Sequence, residues 1–193
     1  MIINLINKMS FNYKFLKRKL FYKDFSIDNL RKDDVEKLRL WRNSQRKVLR
    51  QNKIISKSEQ SKYFNNFIKI QTKKKYPEVI LFAYRHKDEL IGYGGLVYIS
   101  WQNNRAELSF LLNTDYTHNK KINNFYSMIY FNLAKKFAFK RLRLNRLYTE
   151  TFQYRKNQIK ILENFGFKKE GILRKHNIKN NKPVNVIVHA IIK

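Results

Sequence analysis

Two carboxylates and two arginines carry the most promising polar chemistry of this chain. Glu107 lies on the polar side of the alternating run Arg105-Ala106-Glu107-Leu108-Ser109-Phe110, and Glu150 lies in a second alternating run, Arg146 to Phe152. A carboxylate that faces a cleft can accept a proton, whereas one that faces solvent pairs with a neighbouring Arg or Lys. Both alternatives stand for each residue. Arg42 and Arg50 are permanently charged planar forks suited to a carboxylate or a diphosphate. Asn43 and Gln51 lie beside them in sequence. Trp101 and Gln102 follow a long apolar run, where an indole stacks on a flat ligand or simply covers the core. His118 sits in a polar stretch, where an imidazole titrates near neutral pH.

The elements that must position these groups centre on Glu89 to Phe139. Leu90 to Ile99 is apolar and interrupted by Gly92, Gly94 and Gly95. No Gly-Lys-Ser/Thr follows those glycines, so they predict a bulge or close strand packing rather than a nucleotide loop. Arg105 to Asn113 alternates as a half-buried strand does. Ile122, Phe125, Ile129, Leu133 and Phe137 recur at helical spacing. A strand that runs through a polar loop into a helix aims free N–H groups at the loop, where they can hold an anion.

The flanking segments complete the order. Leu20 to Ile27 predicts a strand, and Asp28 predicts the N-cap of a helix from Asn29 to Asn43. Ser56 and Glu59 form a capping-box pattern that opens a helix to about Ile70. Val79 to Tyr84 predicts a buried strand that turns through Arg85–Asp88 into Leu90–Ile99. Arg146 to Phe152 predicts a strand, and Arg155 to Phe165 a helix with Ile159, Ile161 and Leu162 inward and Gly166 as C-cap. Phe167–Asn177 and Val184–Ile192 close the chain as strands. The order βααβββαβαββ describes one α/β domain from residue 20 to 193, without repeat or linker.

The chain has 193 residues and a formal net charge of +28. Such charge suits an anionic partner, and an AT-rich coding sequence produces the same excess of Lys. The Lys residues are scattered and form no aromatic-lined stripe, which argues against nucleic acid as a partner. The absence of Cys excludes disulfides, thiolate-bound zinc and a thiol nucleophile, and four scattered His residues give no metal spacing. No apolar run approaches the ~20 residues of a membrane span. Residues 1–19 are apolar and then basic, the reverse of a secretory signal, and predict a frayed basic extension with at most weak membrane-surface contact. The default compartment is the cytoplasm.

The string Glu163-Asn164-Phe165-Gly166-Phe167-Lys168-Lys169-Glu170-Gly171-Ile172-Leu173-Arg174 resembles a C-terminal motif of the GNAT superfamily of acyl-CoA-dependent N-acetyltransferases. Trp41-Arg42-Asn43, Leu90-Ile91-Gly92 and Arg105 to Phe110 are similar to the branch that holds ribosomal-protein alanine and nucleotide-sugar N-acetyltransferases. The resemblance implies a mixed, mostly antiparallel twisted sheet of about seven strands with about four helices. It implies acetyl-CoA as donor, no metal, and a small primary amine, most readily a nucleotide-linked amino sugar, as acceptor. A protein N-terminal acetyltransferase, or a non-catalytic binding protein on the same fold, is the alternative; a homodimer is compatible with either. The resemblance makes Glu107 the first choice of base and Glu150 the second. It places Arg42, Asn43, Arg50 and Gln51 at the acceptor, with Trp101 and Gln102 beside the cleft. It assigns the splayed strand end Leu111, Leu112 and Asn113 to the thioester arm. The family's phosphate loop falls on His118, Lys120, Lys121, Asn123 and Asn124, with both glycines replaced: either the loop takes another shape, with Lys120 and Lys121 as side-chain phosphate ligands, or the acyl-CoA site is weakened. The family's helix Asn has Asn157 and Arg155 nearby, and its general-acid Tyr is replaced by Leu162.

Overall fold

A computed structural model describes residues 13–193. Eight strands form one sheet: β1 Leu20–Tyr22, β2 Phe25–Asp28, β3 Ile80–His86, β4 Glu89–Ser100, β5 Arg105–Leu112, β6 Arg146–Phe152, β7 Lys168–Lys179 and β8 Lys182–Ile192. Their order is β1-β2-β3-β4-β5-β6-β8-β7. Every pairing is antiparallel except β5 with β6. The helices are α1 Asp34–Ser44, α2 over 57–73, α3 Thr114–Thr117, α4 Lys120–Lys136 and α5 Lys156–Phe165.

The sheet has one strand more than the sequence predicts. The single strand expected over Leu20–Ile27 is a hairpin, turned at Lys23 with φ 51°. Asp28 is not the helix cap. It ends β2 and is buried against Arg85 of β3, whose Nε donates to Asp28 Oδ1 at 3.0 Å. The same guanidinium donates to Asp34 Oδ2 at 2.7 Å, and α1 begins only there. A buried Arg that is 2% exposed has thus claimed both carboxylates, and the helix starts later than propensity alone dictates.

The expected capping box is present: Glu59 N–H donates to Ser56 Oγ at 3.1 Å, and Ser56 N–H donates to Glu59 at 2.8 Å. Helix α2 then carries a π-helical stretch over Tyr63–Ile68. In α4, Ile129, Leu133 and the following Phe137 are buried, but Ile122 and Phe125 are exposed. The apolar stripe read from the sequence is therefore buried only after the second turn, although Phe125 already meets Phe25 of β2 edge-on at 6.0 Å between ring centroids. Gly166 ends α5 at φ 107°, the left-handed cap that glycine adopts at least cost.

Close strand packing explains two of the glycines in β4. A Cβ on Gly94 would lie 2.3 Å from the Tyr130 hydroxyl, which donates to Ser109 O at 2.8 Å. A Cβ on Gly95, at φ 148°, would lie 2.0 Å from Ile80 O. Tyr13 and Leu16, expected in the basic extension, instead pack into the core, so the packed chain begins before residue 20. The remaining residues of that segment, 1–12, lie outside the described residues.

Arg85→Leu would leave Asp34 buried without its cation and Asp28 with only the outer Lys19 and Arg31, at 3.3 and 3.6 Å. The expected loss is about 3–5 kcal/mol of unfolding free energy, read from urea melts. A loss below ~1 kcal/mol would show that solvent or lysines replace Arg85.

Candidate active site

Strands β5 and β6 pair over three rungs only, Arg105–Arg146, Ala106–Leu147 and Glu107–Tyr148. Beyond Glu107 they part: β5 follows β4 to Leu112 while β6 follows β8 to Phe152. Asn113 N–H turns toward β4 and donates to Ile91 O at 2.8 Å. Leu112 O turns the other way and accepts from Gln45 Nε2 at 2.8 Å. By strand alternation the backbone groups of Phe110 share the Leu112 side and face the gap.

Two cavities meet at this gap. One, of about 500 Å³, lies between the end of β5 and the starts of α4 and α5; Leu111, Leu112, His118, Asn123 and Asn157 line it. The other, of about 550 Å³, holds Glu107 and Glu150 with Arg42, Arg50 and Gln51 on its wall. Val48, Phe110, Arg155 and Gln158 line both.

Glu107 is 6% exposed. Arg50 clamps it, with Nη2 at 2.5 Å from Oε1 and Nη1 at 3.2 Å from Oε2. The same Nη2 lies 3.2 Å from Glu150 Oε2, so one guanidinium joins both carboxylates. Burial raises the Glu107 carboxyl above its ordinary value, and Arg50 opposes that rise. The Arg50 segment is fixed from outside by Lys179 at the tip of the β7–β8 hairpin. Its ammonium donates to Leu49 O at 2.8 Å, to Gln51 O and to Asn52 Oδ1. Asn43, one of the expected acceptor residues, accepts from Gln51 Nε2 at 2.8 Å and from Ile55 N–H at 2.9 Å. It braces the loop that carries Arg50.

The remaining expected residues divide by place. Asn113 caps α3 through Asp115 N–H. Asn119 caps α4, its Oδ1 accepting from the N–H groups of Lys121 at 2.9 Å and Ile122 at 3.2 Å. No residue from 113 to 124 has positive φ, so this loop has no position that requires glycine. Lys120, Lys121 and Asn124 lie exposed on the first turns of α4. Trp101 is corrected from the cleft to the core edge. Its Nε1 donates to Pro77 O at 2.9 Å and its ring stacks on Phe15, while Gln102 is exposed in the turn after β4.

Three residues were missed or underweighted in sequence. Tyr98 sits at the β4 irregularity with φ 49°, 65% exposed, and lines the Glu107 cavity. A bulky residue in that conformation is an outlier of the kind found at functional sites. Gln45 bridges α1 to the β5 end. Arg155, at the N-cap of α5, has no carboxylate partner among the described residues; burial draws its guanidinium down to about 10. Only the run of apolar residues before Trp101 points near Tyr98, the family's helix Asn points near Arg155, and no local pattern marks Gln45.

A family model described as acetyltransferase (GNAT) domain matches residues 27–188. The chain belongs to this family and is an N-acetyltransferase. Among solved structures it is similar to a spermidine N-acetyltransferase from Vibrio cholerae in complex with CoA and spermine. The TM-score is 0.77 at 17% identity, over 89% of this chain and 96% of that one. A dodecameric structure of that enzyme in an intermediate state gives TM-score 0.72 at 18% identity, over 89% and 95%. A protein described as a probable acetyltransferase gives TM-score 0.70 at 18% identity, over 91% and 97%. At these identities the TM-scores show a shared fold and no more. A search of curated protein sequences gives no match.

Arg50→Gln would remove the charge that holds the Glu107 carboxyl down against burial. Carboxyl-carbon NMR should show Glu107 titrating at higher pH in the variant than in the wild type. An unchanged or lowered midpoint would contradict the clamp.

Proposed function

We propose that the chain transfers the acetyl group of acetyl-CoA to a primary amine by direct attack on the thioester, with Glu107 as the base. The observation that carries this reading is the position of Glu107 at the last rung before the strands part, where two cavities meet. The 500 Å³ cavity takes the thioester arm, along Leu111 and Leu112. The 550 Å³ cavity takes the amine. Holding both at one gap replaces a bimolecular encounter by a local one.

The acceptor nitrogen gives a proton to Glu107, and its lone pair forms the new C–N bond at the thioester carbon. The carbonyl oxygen gains charge as it does so, and a backbone N–H facing the gap stabilises it. Collapse of the tetrahedral intermediate breaks the C–S bond, and the sulfur leaves as the thiol after gaining a proton. Position 162 is a buried Leu, so no hydroxyl there supplies that proton, and solvent does. A carboxylate in a dry site is a stronger base than one in water, which suits the raised Glu107. Glu150 shares the Arg50 clamp and adds its charge beside Glu107.

The cited relative holds spermine, and no relative cited above is described as acting on an amino sugar. That supports a small amine in place of the nucleotide-linked sugar expected from the sequence. Glu107→Gln should lower kcat by ~10²-fold, typical of a lost general base. Thermal unfolding should show the variant folded. Wild-type turnover in a folded Glu107→Gln protein would remove Glu107 from the mechanism.

A further inference from the structure

We infer that the acceptor amine also carries one acidic group, a carboxylate or a phosphate, which Arg42 holds while the Glu107–Arg50–Glu150 cluster receives the amine. The inference rests on the acetyl-transfer reading above and names the acceptor class of that site. It comes from a charge balance. Beside the Glu107 cavity lies a smaller one of about 380 Å³, with Tyr63, Leu81 and Tyr93 among its apolar lining. Arg42 lines both.

Three carboxylates line this joined space: Glu59, Glu107 and Glu150. Glu59 is paired with Lys53 at 3.1 Å. Glu107 and Glu150 share the single Arg50 guanidinium, so that cluster lacks one cation. His176 Nε2 lies 3.8 Å from Glu150 on an exposed imidazole, and Arg42, Lys53 and Arg155 line the same cavity without forming an ion pair with either carboxylate. An entering ammonium supplies the missing positive charge.

Arg42 is the opposite case. Its Nη1 donates to the Tyr93 hydroxyl at 2.9 Å, and no carboxylate among the described residues pairs with it. Its guanidinium makes no other hydrogen bond among the described residues, which leaves donors free for a ligand. Of the cations lining these cavities, Arg50 and Lys53 are paired and Arg155 also borders the thioester side. Arg42 alone is both unpaired and confined to the acceptor side. A half-buried guanidinium without a counterion favours a ligand that brings one. A polyamine would set a second ammonium against it.

The test uses the full chain with saturating acetyl-CoA in ~0.15 M salt. CoA release and calorimetric binding are measured for δ-aminovalerate and aminopropyl phosphate, against cadaverine and spermidine. The acidic amines should show kcat/KM at least about tenfold above cadaverine, and Arg42→Gln should shrink that ratio about tenfold. Acetylation that favours cadaverine or spermidine in the wild type overturns the charge match and leaves acetyl transfer standing. A ratio that Arg42→Gln does not change also overturns it. Acidic amines that bind with an Arg42-dependent preference but release no CoA overturn the acetyl-transfer reading and uphold the charge match. Absence of both binding and turnover for every amine overturns both.

Discussion

The parting of β5 from β6 is the constraint on which the rest of the site depends. Each strand keeps one neighbour and loses the other after the Glu107–Tyr148 rung. A strand that loses a neighbour exposes N–H and C=O groups that need partners. Gln45 reaches in from α1 to satisfy the carbonyl of Leu112. On the far side, Gly94 and Gly95 let β3, β4 and Tyr130 close on the same stretch of β5. The gap is therefore rigid on one side and open on the other, and the two cavities follow from it.

Electrostatics sharpen the picture. The chain has 14 acidic residues against 42 Lys and Arg, so a carboxylate is seldom short of a cation. Asp28 and Asp34 hold Arg85, and Glu170 holds Arg146. Lys19 and Arg31 beside Asp88 hold its carboxyl down to about 2. Against that background, two carboxylates sharing one Arg inside a cavity form a local deficit of positive charge. The unpaired Arg42 and Arg155 form the complementary surplus nearby. Charge that the surface has in excess is thus arranged, inside the site, with both signs in separate places.

Much of the fold was legible because its signals are local. The capping box at Ser56, the Gly166 cap and the alternation of Arg146–Phe152 each involve only a few neighbouring residues, and each appears as expected. Asp28 misled because its partner Arg85 lies 57 residues away, and a buried ion pair outweighs a capping preference. Trp101 misled for a similar reason: Phe15 and Pro77 meet it only in the folded chain. The pairing of Glu107 with Glu150 follows from the single parallel contact in the sheet, and the Arg50 clamp follows from Lys179 at a distant hairpin tip. Neither leaves a trace in local spacing.

The central claim is that the chain binds acetyl-CoA despite a phosphate loop without glycine, whose first helical N–H groups are taken by Asn119. The most direct measurement is a calorimetric titration with acetyl-CoA in ~0.15 M salt, where charge attraction alone is screened, with ATP as competitor. The account predicts saturable one-to-one binding that ATP does not match. Heat that ATP abolishes at equal concentration, or no binding at millimolar acetyl-CoA, would contradict it and leave a GNAT fold without its donor.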